Sequence, residues 1–260
     1  MELVLDAHLI SDRGLTRERN EDRCGAFTPD DAQVLHERGQ LFVVADGMGG
    51  HAAGDVAAEL TVQTLPASYY DGEWSGPGES LRAAFVATNA AISERAARDL
   101  GRQGMGAAAV AAAVLGGRAV LAHLGDCRAY LLRAGQVERL TSDHSWVEER
   151  VASGRITTEE ARIHPYRNVL TRALGAEIDA EPTVNEHEFR AGDTLLLCSD
   201  GLWGVVEEDE LAAMLSQLPD AKSIARALVD LALERGGPDN ISVIVVRALA
   251  EAAAGSNNSD

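Results

Sequence analysis

Four aspartates stand where apolar runs stop or start. LFVVAD ends at Asp46 and TLLLCSD at Asp200, each followed by glycine; LAHLGD ends at Asp126; Asp239 lies in GGPDN, just before ISVIVV. Near the start, RNED adds Glu21 and Asp22 ahead of another candidate strand. A single Asp-Gly is most often a turn, and Asp71-Gly72 in YYDGEW, which follows no apolar strand, reads as one. Four strand-end aspartates read differently. In an antiparallel sheet the C-terminal end of one strand lies beside the N-terminal end of its neighbour, so all four can meet at one edge. Carboxylates crowded there raise one another's pKa, a penalty that divalent cations remove. Oxygen ligands without His or Cys favour Mg2+ or Mn2+ over zinc. The glycine after an aspartate lets backbone approach closely and makes a carbonyl available as a further ligand.

These residues need strands to carry them. Alternating or continuous apolar runs at about 3–11, 24–29, 40–45, 119–125, 128–133, 181–189, 193–198 and 241–247 predict strands, bounded by Gly116-Gly117, Ala134-Gly135 and Ala191-Gly192. Helical spacing appears at about 53–68, 79–99, 206–217 and 220–235, the last two after acidic starts. AAAVAAAV at 107–114 is ambiguous: alanine favours helix, whereas the following Gly-Gly turn and apolar run favour strand. Helices come in pairs between groups of strands, which predicts an antiparallel sheet system covered by helix pairs. Residues 141–180 give two short helical patterns on a charged, Gly- and Pro-broken stretch, expected to be an insertion or flap. The polar tail from about 250 to 260 is expected to be disordered.

Composition narrows the partners. The formal net charge of -18 lacks the basic footprint that nucleic acid or an anionic membrane requires. Three cysteines, Cys24, Cys127 and Cys198, without CxxC spacing argue against a disulfide framework or a zinc site. The most membrane-like stretch, 105–125, is broken by Gly116-Gly117 and Arg118 and reads as a buried hairpin. The N-terminus has no secretory pattern. A soluble, cytoplasmic protein is expected.

SDRGLTRERNED, VVADGMGGHAAGD, GDCRAYLLRAG, LTSDHS, LLLCSDGLWGVV and GGPDNISVIVV follow in that order, from about Leu9 to Arg247. In this series the chain resembles the metal-dependent Ser/Thr protein phosphatases of type 2C, the PPM family, in their bacterial form. The resemblance implies an α+β fold, a four-layer αββα sandwich of two antiparallel sheets flanked by helix pairs, with 107–114 as strand. It implies one catalytic domain over 1–249 with a flap at about 145–170, usually monomeric. Two Mn2+ or Mg2+ ions are implied at one end of the sandwich. Asp46 bridges both, the Gly47 carbonyl binds one, and Asp200 and Asp239 bind the other. Glu21 and Asp22 match positions that hold the second ion directly or through water. Asp126, with Asp200, matches a third, weaker site. Arg17 matches the arginine that holds the substrate phosphate, although spacing alone leaves it a solvated loop charge. The implied reaction is hydrolysis of phosphoserine and phosphothreonine on proteins by direct attack of a metal-bridging water or hydroxide, opposing a bacterial-type Ser/Thr kinase.

Three positions depart from the family pattern. Met48 stands where many eukaryotic members have a histidine that protonates the leaving group; His51 nearby is a candidate substitute, although loop histidines are more often structural. Ala107 and Ala108 replace common hydroxyl residues, with a loss of hydrogen bonds expected around the Asp126 loop. Cys127 replaces serine, which raises an expectation of oxidation sensitivity. Asp143 and His144 are expected to anchor the base of the flap. A catalytically dead binding module is disfavoured because the principal carboxylates all remain. A dinucleotide-binding oxidoreductase, suggested by GMGGHAAG, is disfavoured because no second parallel strand with an acidic ribose partner follows.

Overall fold

A computed structural model describes residues 3–49, 53–176 and 180–250. The expected disordered tail beyond 250, and His51, lie outside the described residues. Ten strands form two five-stranded antiparallel sheets. In the first, the order is β1 (Val4–Asp12), β10 (Ile241–Leu249), β9 (Thr194–Cys198), β6 (Arg128–Arg133) and β7 (Gln136–Arg139). In the second, it is β2 (Asp22–Phe27), β3 (Gln40–Met48), β4 (Gly106–Leu115), β5 (Arg118–Leu124) and β8 (Thr183–Glu188). Among the described residues, no helix is long and apolar enough to cross a membrane.

Period-two alternation divides each central strand between two apolar layers. On β3, Leu41, Val43 and Ala45 face α2 (Gly54–Asp71) and α3 (Pro77–Arg98), whereas Phe42 and Val44 face the other sheet. On β10, Ile244, Val246 and Ala248 enter that inter-sheet layer, while Val243 and Val245 pack under α7 (Glu208–Gln217) and α8 (Ala221–Glu234). The result is the four-layer αββα sandwich.

Residues 107–114 are strand. Full ladders to β3 and β5 on either side override the helix preference of alanine. Ala107, Ala109, Ala111 and Ala113 sit beneath the helix pair, and Ala108, Val110 and Ala112 between the sheets. Both neighbouring hairpin turns have positive φ at their two central residues, 53° and 76° at Gly116-Gly117 and 51° and 80° at Ala134-Gly135. That is the twist a two-residue hairpin loop needs. The stretch expected to be an insertion or flap carries two short helices, α4 (Trp146–Ala152) and α5 (Thr158–Ile163). Asp71-Gly72 is the end of α2, with the Gly72 N–H bonded to the Ser68 carbonyl. Three short elements lacked a sequence pattern: α1 (Ala32–Arg38), which buries no residue, the four-residue β7, and α6 (Asp200–Trp203).

Candidate active site

Antiparallel pairing brings the acidic strand ends together from both sheets. In the second sheet, Asp22 at the start of β2 stands directly opposite Asp46 on β3. β3 runs two residues past Asp46, because Gly47 and Met48 still pair with Ala107 and Gly106. In the first sheet, Asp200 follows β9, and Asp239 lies two residues before its neighbour β10. Asp126 lies in the turn between β5 and β6. A cavity of about 430 Å³ opens between these ends, lined by Arg17, Glu21, Asp46, Gly47, Asp126, Asp200 and Asp239. Met48, Ala108, Leu170 and Ala176 give it an apolar side, and Asn168 reaches it from the flap.

Gly47 has to be glycine. A Cβ there would stand 2.1 Å from the Gly54 carbonyl oxygen and 2.6 Å from that of Glu21. The start of α2 and the Glu21 strand end therefore close on it from opposite sides, and the Gly47 N–H donates to the Glu21 carbonyl at 3.2 Å.

Asp22 is the one predicted carboxylate absent from the cavity wall. It is 1% exposed, and its Oδ2 accepts the Ser199 hydroxyl at 2.6 Å; Ser199 Oγ in turn accepts the Ser242 N–H at 2.9 Å. Asp22 thus lies behind Asp46 as a buried link between the sheets. Arg17 is half exposed, and its Nη2 donates to Asp239 Oδ2 at 2.6 Å.

The electrostatics are those of too much negative charge in too little water. Burial first, and then repulsion from Asp200, outweigh the Ser199 hydrogen bond and push Asp22 up to about 7. Burial and then Asp239 push Asp200 up to about 6, and burial and neighbouring aspartates hold Asp46 and Asp126 well above the usual carboxylate range. Arg17 is the cation among the cavity residues. The lining offers oxygen donors alone, a set that fits a hard divalent cation. Among the described residues no three His, Cys, Asp or Glu side chains already gather as a metal-holding group. The carboxylates ring the cavity instead, which suits ions that keep several of their waters.

Supports around the ring differ from expectation at two positions. Ala107 and Ala108 supply no hydroxyl, yet the Asp126 turn is held from elsewhere. His144 Nδ1 accepts the Gly125 N–H at 3.2 Å, the His144 N–H donates to the Gly125 carbonyl at 2.9 Å, and Trp203 Nε1 donates to the Asp126 carbonyl at 3.0 Å. His144 also accepts the Thr171 N–H through its carbonyl, so it joins the flap base to this turn. Asp143 pairs with Arg128, whose guanidinium lies 3.5 Å over the Trp203 ring. The expected oxidation sensitivity of Cys127 is corrected. The residue is 1% exposed, burial and the surrounding aspartates push its thiol far up, and a buried protonated thiol is a poor nucleophile.

Asn240 lines the cavity and escaped the sequence reading. Its Nδ2 donates to the carbonyls of both Arg13 and Arg19 at 2.8 Å, and its Oδ1 accepts the Glu21 N–H at 2.8 Å. The sequence offered only its place after Asp239 in GGPDN.

The family model for protein phosphatase 2C matches residues 14–241. The chain belongs to this family. Among relatives of this phosphatase 2C domain, the serine/threonine protein phosphatase PstP of Mycobacterium tuberculosis is 42% identical over 245 residues, covering 94% of this chain and 45% of the relative. The domain thus spans about half the length of that protein. The serine/threonine phosphatase stp of Listeria monocytogenes is 38% identical over 246 residues, covering 93% of this chain and 95% of the relative. A solved structure of the PstP catalytic domain in complex with two manganese ions superposes with a TM-score of 0.82 at 40% identity, covering 96% of this chain and all of that one.

Proposed function

We propose that this phosphatase 2C domain is a metal-dependent protein serine/threonine phosphatase, hydrolysing phosphoserine and phosphothreonine monoesters on proteins. One observation carries the reading: carboxylates from the facing ends of two sheets ring one cavity, with their pKa values raised and an arginine at the rim. Two Mn2+ or Mg2+ ions fit that donor set. Asp46 would be shared between them, the Gly47 carbonyl and Glu21 would help hold one, and Asp200 and Asp239 would help hold the other. Asp126 with Asp200 would take a third, weaker ion. Asp22 acts from behind the wall, through Asp46 or an intervening water.

Bound there, the ions would make a water nucleophilic at neutral pH and offset charge on the phosphoryl oxygens during in-line displacement. The chain's own groups do the positioning. Asp239 holds the Arg17 guanidinium beside the cavity, and the guanidinium presents paired N–H donors to the substrate phosphate. Met48 puts no titratable group after Asp46-Gly47, which leaves protonation of the leaving oxygen to a water or to His51. Asn168 and Leu170 bring the flap to the rim, where it meets the polypeptide on either side of the phosphorylated residue. We take the domain to span 1–249, to act as a cytoplasmic monomer and to reverse the action of a Ser/Thr kinase. The names of its relatives as serine/threonine phosphatases support the substrate class.

Phosphate release from a phosphothreonine peptide tests this, with Mn2+ and with EDTA, for the wild type and Asp200→Asn. Release that requires Mn2+ and collapses in the variant is expected. A folded, Mn2+-saturated wild type that releases no phosphate from any phosphopeptide would sink the proposal.

A further inference from the structure

Arg17 rides on an exposed loop between β1 and β2, and its usefulness depends on what fixes that loop. Apart from two local bonds, the Gly14 N–H to the Asp12 carboxylate and Arg13 Nη1 to the Glu18 carbonyl, the backbone of residues 13–19 is tied to a single segment, 237–240. The N–H groups of Leu15 and Thr16 donate to the Gly237 carbonyl at 2.9 and 3.3 Å. Gly14, at φ 73°, lies so close to this segment that a Cβ would stand 2.1 Å from the Asp239 carbonyl oxygen. The remaining ties come from one side chain. Asn240 gives both Nδ2 protons to the loop, one to the Arg13 carbonyl and one to that of Arg19.

These carbonyls bracket Arg17, four residues before it and two after. One buried carboxamide therefore closes the loop that carries the guanidinium, and removes the freedom that the excursion from Arg13 to Arg19 would otherwise have. Both donors of the side chain are thereby used, its Oδ1 takes the Glu21 N–H, and the residue is 5% exposed. An aspartate of the same shape would keep the Glu21 bond but turn an acceptor oxygen towards two carbonyl oxygens.

We propose that Asn240 is a positioning residue for the substrate phosphate: it acts through the 13–19 loop to set the Arg17 guanidinium at the rim of the carboxylate cavity. The proposal rests on the reading of Arg17 as the phosphate-holding side chain.

A double-mutant cycle tests it. The inhibition constant for inorganic phosphate and the KM for a phosphothreonine peptide are measured at saturating Mn2+ for the wild type, Arg17→Ala, Asn240→Ala and the double variant. Each single change is expected to weaken phosphate binding about ten-fold or more, since small displacements of a positioning group carry effects of that order. The double variant is expected to be no weaker than Arg17→Ala alone, because the second change has nothing left to misplace. Fold-changes that multiply would overturn the proposal and leave Asn240 as general support, with the role of Arg17 intact. An Arg17→Ala enzyme with unchanged phosphate binding would overturn both readings while the metal-dependent activity still stands. If Asn240→Ala does not fold, Asn240→Asp takes its place in the cycle. Hydrogen exchange gives a readout apart from activity. In metal-free protein, the Leu15 and Thr16 amides should exchange faster in Asn240→Asp than in the wild type, and equal rates would count against the staple.

Discussion

Two sets of aspartates, buried or half-buried, differ in what neutralises them. Asp143 and Asp193 each meet an arginine through two nitrogens. Arg128 reaches Asp143 at 2.9 and 2.7 Å, and Arg133 reaches Asp193 at 3.0 and 2.6 Å. Asp46, Asp126 and Asp200, at the end of the sandwich, have no such partner among the described residues, and their carboxyl pKa values rise instead. The first set carries its cations in the covalent chain and is finished on folding. The second leaves a charge deficit that a mobile cation can fill. Burial alone therefore does not separate the two sets; a two-nitrogen arginine partner does.

The sharpest way to break this contrast is to neutralise one member of each set. Asp46→Asn should cost on the order of a thousand-fold in phosphate release, the scale of losing a central charge-stabilising group, while raising the melting temperature of the metal-free protein by relieving repulsion. A variant that melts lower without metal would mean that Asp46 is paired after all. Arg128→Ala should do the opposite, destabilising the fold by about 3 kcal/mol in urea titrations, because Asp143 loses its two-nitrogen partner and keeps only Arg139 at 3.9 Å. Less than about 1 kcal/mol there would place Asp143 with the unpaired set.

Acidity separates the two sets next. A carboxyl whose folded pKa lies above its unfolded value binds more protons when folded, so its stabilisation is complete below the unfolded pKa and disappears as pH rises through the folded one. With Asp200 near 6 and Asp22 near 7, that loss runs from about pH 4, the unfolded carboxylate value, to about pH 7, and the melting temperature in EDTA should fall with it, most cleanly above about pH 6.5. His144, lowered to about 3 by burial, and His123, lowered also by burial, have the opposite sign and oppose the fall only below their unfolded value of about 6.5. Saturating Mn2+ should flatten the slope; an equal slope with and without metal would break the link between the raised pKa values and the cation site. The smallest effect lies far from either set. Ala134 holds φ at 51°, and Ala134→Gly should stabilise the β6–β7 hairpin by about 1 kcal/mol in thermal melts.

Much of this was legible in the sequence, and the exceptions share a cause. The eight apolar runs became strands because alternation and turn residues act locally. The acidic strand ends meet because antiparallel pairing requires it. Asp22 and Asn240 could not be read in this way. Asp22 differs from its neighbour Glu21 only because its β2 register, opposite Asp46, turns it to Ser199 in the other sheet, 177 positions away in the chain. Asn240 bonds to carbonyls 221 and 227 positions away, and a backbone oxygen has no residue type to betray it. Arg128 and Arg133 were equally opaque, since Arg128 meets Asp143 through the β6–β7 pairing and Arg133 meets Asp193 through the β6–β9 register. α1 buries nothing and so left no apolar stripe to find.

The alanine-rich β4 has a consequence for how the chain reaches this state. Its central position, between β3 and β5 and under both apolar layers, demands small side chains, yet the same side chains favour helical turns before the ladders exist. Local preference and final conformation disagree at the centre of the molecule, so refolding must dismantle transient helix there before the second sheet can close. A helix-promoting cosolvent at low concentration should therefore slow refolding, and valine at Ala111 or Ala113 would trade that delay for crowding beneath α2 and α3.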